Sequence, residues 1–192
     1  MHAMGRCEPE AGGRLRKAAL ELFVAKGFDQ TTAAEIAEAA GLTQRTFFRH
    51  FADKRDVLFQ GQEEFAQLFR DGLDTAPPDA SPMQLIGASL ASATSFFPDD
   101  RRSYSRIRQS VIDANPALQE RERHKLAGVA EEVTAALRDR GVTEPAATLA
   151  AESGATVFRL AFTQWIQAGE TRTLAAIAAQ LLAELQTLSA TG

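Results

Sequence analysis

The chain has 192 residues, 45% hydrophobic and 24% charged, with a net charge of −4; this is an ordinary globular balance that can fill a core without staples. Its single cysteine, Cys7, excludes an internal disulfide, and His2, His50 and His124 are scattered with no spacing that resembles a zinc site, so no metal or cofactor is implied. MHAMGRCEPEAGG lacks the apolar run of a signal peptide, and Glu152 and Arg159 interrupt the apolar stretch Ala146 to Ile166, so a cytoplasmic protein with no membrane partner is expected.

Alternating β-branched runs are missing, and helical periodicity runs throughout, which predicts an all-α fold of about nine helices. Residues 1–12 read as a disordered arm. The first helix runs from about Arg14 to Ala25, with Leu15, Ala19, Leu22 and Phe23 on one stripe, and Lys26-Gly27 ends it. Thr32 and Glu35 form a capping box for the second helix. Gly41 permits a sharp turn, and Thr43 caps a third helix over Gln44 to Phe51. Asp53 caps a fourth, from Lys54 to about Gly72. DTAPPDASP, Asp74 to Pro82, reads as a linker. Further helices follow over Met83 to Phe97, Arg101 to Ala114, and Pro116 to near Arg140. Pro145 opens the next, which stops at Gly169, and Thr171 opens the last. The elements group into a three-helix head over residues 13–55 and a larger body over 56–192.

The charge follows the same division. Residues 1–55 hold nine Lys/Arg against seven Asp/Glu, whereas residues 56–192 hold 12 against 18. A basic head on an acidic body suits a protein that touches DNA with one module only. AGLTQRTFFRHFADK, Ala40 to Lys54, carries the motif. Ala37 is small where two helices would touch, Gly41 avoids a Cβ in the turn, and Phe47 and Phe51 anchor the second helix of the pair. That leaves Gln44, Arg45 and Arg49 outward, with Thr46, Phe48 and His50 more oblique. Arginine can pair with guanine O6 and N7, and glutamine with adenine N6 and N7. Thr43, His50 and Lys54 lie at the ends and flanks, where contacts usually go to phosphate.

TTAAEIAEAAGLTQRTFFRHFADKRDVLF, Thr31 to Phe59, resembles the head of the tetracycline-repressor (TetR) family of bacterial transcription regulators, and the likeness runs from about Arg14. It implies a homodimer on a palindromic double-stranded DNA operator with helix three in the major groove. By position, Gln44, Arg45, Thr46 and Arg49 would face bases, and Thr32, Thr43, His50 and Lys54 phosphates. Phe48 stands where the family often has a tyrosine whose hydroxyl bonds a phosphate; a phenyl ring can instead pack on sugar or a thymine methyl. More loosely, NPALQERERHKLAGVAEEV and GVTEPAATLAAESGATVFRLAFTQWI resemble a subgroup with an acyl-CoA-like ligand domain, including regulators linked to mycofactocin gene clusters.

A regulator needs an effector site, and the body offers an apolar lining of Phe65, Leu68, Phe69, Phe96, Phe97, Tyr104, Ile107 and Val111; each of these also suits ordinary core. Arg101, Arg102, Arg106 and Arg108 read either as a solvated face paired with Asp99, Asp100 and Asp113 or as partners for an anionic ligand head, with Arg106 the favoured candidate. Gly154, Ala155, Val157, Phe158, Ala161 and Trp165, with Leu174, Ile177 and Leu181, are more apolar than one buried stripe requires and predict a two-fold dimer face built as a four-helix bundle. The chain thus reads as a ligand-responsive repressor. The alternative is a helical small-molecule-binding protein with a degenerate DNA-binding head. No catalytic constellation supports an enzyme.

Overall fold

The computed structural model describes residues 8–190. Among these it contains no strand and ten α-helices: α1 (Glu8–Lys26), α2 (Ala33–Ala39), α3 (Gln44–His50), α4 (Asp56–Phe59), α5 (Gln62–Asp74), α6 (Pro82–Thr94), α7 (Arg102–Asp113), α8 (Pro116–Asp139), α9 (Ala146–Trp165) and α10 (Leu174–Ala190). A 3-10 turn, Asp99–Arg101, leads into α7. The all-α class follows from the helical periodicity seen in the sequence.

Two departures from the expected boundaries have clear physical causes. The arm predicted over residues 1–12 falls partly outside the described residues, but residues 8–12 continue α1. Ala11 is buried, and a Cβ on Gly12 would lie 3.6 Å from His50 Nδ1, so packing outweighs the roughly 1 kcal/mol that each glycine costs a helix. The single helix expected from Lys54 to Gly72 is broken. Gln60 is extended and Gly61 is left-handed, with φ of 85°, a conformation that ends α4 after one turn and lets α5 restart.

The chain forms two compact units. The first comprises the described residues up to Gln60 together with Ile107–Glu120, and the second Gly61–Arg106 with the rest. The head therefore extends past residue 55. Val57, Leu58 and Phe59 are buried in its core beside Leu15, Phe23, Ile36 and Phe47, and Val111, Ile112 and Leu118 join them. The sequence boundary failed because α4 was read as the start of a body helix.

The second unit has its own core around α5, α6, α9 and α10. Phe65, Phe69, Phe96, Phe97, Phe158, Phe162 and Trp165 form one connected aromatic cluster, with centroid separations such as 5.1 Å for Phe65–Phe158 and 5.2 Å for Phe97–Phe162. Trp165 is fully buried and donates its indole N–H to Asp99 at 3.1 Å, as a buried indole requires. Arg102 and Trp165 together hold the Asp99 carboxyl below its ordinary pKa. No helix among the described residues is long and apolar enough to cross a membrane.

Candidate functional site

The head builds its exposed surface from its caps and its core. Thr32 caps α2, and the Glu35 carboxylate accepts from the Thr32 backbone N–H and hydroxyl at 2.8 Å each. Hydrogen bonds from Lys26 and then Thr32 hold the Glu35 pKa at about 2. The connection to α3 is tight. Gly41 has φ of 65°, which a Cβ would oppose, and the Arg14 guanidinium donates to the Ala40 carbonyl, satisfying a group that the end of α2 leaves open. Thr43 caps α3 by accepting from Thr46 N–H at 3.2 Å, and the two threonine hydroxyls are 3.0 Å apart. Phe47 is fully buried and packs on Phe51 at 5.4 Å. The anchor residues Ala37, Phe47 and Phe51 are all buried.

With Phe47 inward, Gln44, Arg45, Phe48 and Arg49 are exposed on α3, whereas Thr46 and His50 are half-buried. The base-facing set expected from the sequence is thus gathered on one solvent-facing surface, with Thr46 at its edge. Of the four residues expected at phosphates, Thr32 and Thr43 are exposed, their hydroxyls engaged in capping. Two depart from the expectation. The Lys54 ammonium donates to the carbonyls of Phe28, Asp29 and Thr31 at 2.8, 3.2 and 3.0 Å and lies 4.5 Å over the Phe28 ring. It staples the connection between α1 and α2 and has no donor to spare. His50 turns inward, and its Nε2 is buried without a hydrogen-bond partner.

The residues expected to line a ligand pocket do not share one place. Phe65 and Phe69 are buried in the aromatic cluster, with Phe96 and Phe97 half-buried against it; Leu68 is half-buried on α5. Val111 belongs to the core of the first unit, and Tyr104 and Ile107 are exposed. Arg106, favoured for an anionic ligand, donates instead to the carbonyls of Ile166 and Gln167 at 2.5 and 3.0 Å, where α9 ends and its last carbonyls need donors. A small apolar cavity does lie in the second unit, lined by Phe69, Ile86, Leu90, Val133, Ala151 and Ala155 among others.

Most residues of the expected dimer face are already covered within the single chain. Gly154, Val157, Phe158, Ala161, Trp165, Leu174 and Ile177 are buried within the single chain, and Ala155 and Leu181 are half-buried. The small residues serve intramolecular packing: a Cβ on Gly154 would come 2.9 Å from Ile86 Cγ2. The opposite side of α9 carries Leu149 and Leu160, 65% and 44% exposed, and Leu188 on α10 is 77% exposed. The 11-residue spacing puts Leu149 and Leu160 on one face of the helix.

Residues 15–60 match the family model described as bacterial regulatory proteins, tetR family. The HTH-type transcriptional regulator TcmR of Streptomyces glaucescens is 38% identical over 77 residues, covering 40% of this chain and 34% of TcmR. MftR of Mycobacterium tuberculosis, named for regulation of mycofactocin biosynthesis, is 32% identical over 121 residues, covering 60% of this chain and 58% of MftR. The chain thus spans about a third to a little over half of these curated relatives. The crystal structure of the transcriptional regulator FadR from Bacillus subtilis in complex with stearoyl-CoA shares the fold, with a TM-score of 0.61 and 17% identity over 90% of this chain and 96% of that one.

Proposed function

We propose that this chain, which belongs to the TetR family of bacterial regulatory proteins, is a DNA-binding transcriptional regulator that acts as a homodimer on a palindromic operator. One observation carries this reading: α3 is pinned by the buried Phe47 and Phe51 and turns Gln44, Arg45, Phe48 and Arg49 to solvent. A short helix so held can enter the major groove without paying to order itself, and its arginines and glutamine match guanine and adenine edges. Thr32 and Thr43 stand at the N-termini of α2 and α3, where backbone N–H groups favour phosphate. In a two-fold dimer the two α3 helices would lie roughly 34–36 Å apart, one turn of DNA. Selection of bound DNA from a random pool tests this. An inverted repeat with that spacing supports it, and no enrichment, or binding without steep salt dependence, sinks it.

The dimer face we assign to the outer side of α9 and the end of α10, with Leu149, Leu160 and Leu188 at its centre, because exposed leucines on a short outward stripe mark an interaction surface better than buried glycine and alanine do. Light scattering at micromolar concentration should give twice the chain mass. The effector we assign to the second unit, around the apolar cavity beside Phe69 and Val133. Its lining is apolar, as a small apolar or acyl-type molecule requires, and the cavity, now about the size of one water, would open around such a ligand; the stearoyl-CoA bound to the fold relative FadR is of that class. Binding would shift the head spacing and release the operator, and a few kcal/mol of differential affinity suffices for that. In a gel shift, long-chain acyl-CoA should weaken the complex; a strengthened complex would reverse the sign of the regulation.

A further inference from the structure

Phe48 is the one member of the exposed α3 surface that can neither donate nor accept a hydrogen bond. It is 51% exposed, one of the large apolar side chains left open among the described residues. At 3.6 residues per turn, taking Phe47 as the inward direction puts Arg45 and Arg49 nearly opposite it, Gln44 and Phe48 together on one flank, and Thr46 and His50 on the other. The second flank is half-closed, whereas both residues of the first are open. The Phe48 ring is also held in place. It meets the fully buried Phe47 edge to face, with centroids 5.3 Å apart and an interplanar angle of 87°. It is therefore an apolar plate fixed beside the glutamine and arginine that would read base edges.

A phenyl ring on a base-reading surface has few partners. It cannot bond a phosphate, and it cannot recognise the donors and acceptors of the major groove. The apolar group that the groove presents there is the C5 methyl of thymine. We infer that Phe48 is a specificity-determining residue that reads a thymine methyl in each half-site of the operator. This rests on the DNA-binding reading above. Because Gln44 shares the flank one turn earlier, the thymine would lie next to the base that Gln44 contacts. The other apolar option, a deoxyribose, is the same at every position and would give no base preference.

The two options separate by removing the methyl alone. Deoxyuridine pairs as thymidine does and differs by that one group. With the full chain and its selected operator, each thymine is replaced by deoxyuridine in turn, and affinity is measured for the natural protein, Phe48→Leu and Phe48→Ala. For the natural protein, one position per half-site should weaken binding about four-fold, the worth of one buried methyl. Phe48→Leu should keep a smaller penalty at that position, and Phe48→Ala should show none. Thermal melts of the variants establish that they fold, and Phe48→Leu carries the test if Phe48→Ala does not. Equal affinity for thymine and uracil at every position overturns this inference while the DNA-binding reading survives, as does a penalty that persists in Phe48→Ala. Failure to select any operator overturns both.

Discussion

Lys54→Met separates a structural lysine from a DNA-contacting one. Methionine keeps most of the apolar stem and removes the three N–H donors. The carbonyls of Phe28, Asp29 and Thr31, now 2.8 to 3.2 Å from the ammonium, lose a charged partner. A hydrogen bond to a charged group is worth about 1.5–3 kcal/mol, but water can reach a half-exposed site and replace part of each bond. The three together should therefore contribute about 2 kcal/mol rather than their sum. The cation over the Phe28 ring adds roughly 0.5–1 kcal/mol at such a site. For a chain of this size, each kcal/mol moves Tm by about 2–4 °C, so the variant should melt roughly 5–10 °C lower. If Lys54 bonded a phosphate instead, its loss would reduce the slope of log affinity against log salt by about 1. Calorimetric melting and salt titration of the selected operator give both quantities. An unchanged Tm with a flattened salt slope would refute the staple.

Three further outcomes follow from the same kind of geometry. Gly72→Ala places a Cβ 2.6 Å from Ala88 O and Ser89 Cα, both backbone atoms of α6, so α5 and α6 must part; a loss of about 1–3 kcal/mol is expected in urea unfolding, and no loss would mean that the helices yield freely. Glu35 has its pKa lowered from 4.5 to about 2 by Lys26 and Thr32, so its ionised form stabilises the head above pH 4.5 and that contribution disappears as pH falls towards 2; Glu35→Gln keeps the cap geometry and should flatten the stability profile across that window, and a profile as steep as that of the natural protein would count against the assignment. Replacing Leu149 and Leu160 together by glutamate should give a monomer in light scattering with the fold retained by circular dichroism, whereas a persistent dimer would move the interface elsewhere.

The head was legible because its signals are local. Capping residues, a turn glycine and aromatic anchors act over three to ten residues, and each names its own partner: Thr32 caps with Glu35, Thr43 with Thr46, and Phe47 packs on Phe51. The body was legible as helices but not as surfaces. An apolar stripe on α9 shows that one side is buried and leaves open what buries it. Gly154 and Ala161 read equally well as room for a second chain or for Ile86, and the fold chose Ile86 for Gly154. The end of the head was missed for a related reason. The apolar residues of α4 continue the period of α5, and only the extended Gln60 and the left-handed Gly61 separate them.

Five cations were the least legible groups, because they donate to backbone carbonyls, which every residue carries. Lys54, Arg14, Arg102, Arg106 and Arg108 all donate to carbonyls at helix ends or turns: Lys54 to Phe28, Asp29 and Thr31, Arg14 to Ala40, Arg102 to Glu170 and Arg172, Arg106 to Ile166 and Gln167, and Arg108 to Leu58. Helix ends leave up to four carbonyls open, and they carry partial negative charge, so in a chain of short helices they compete directly with any external anion. Counting basic residues therefore overstates what such a protein offers to phosphate. In the proposed operator complex, with Lys54 and Arg14 so committed, a larger share of the affinity would fall on the base-facing groups of α3, and those groups include a phenyl ring.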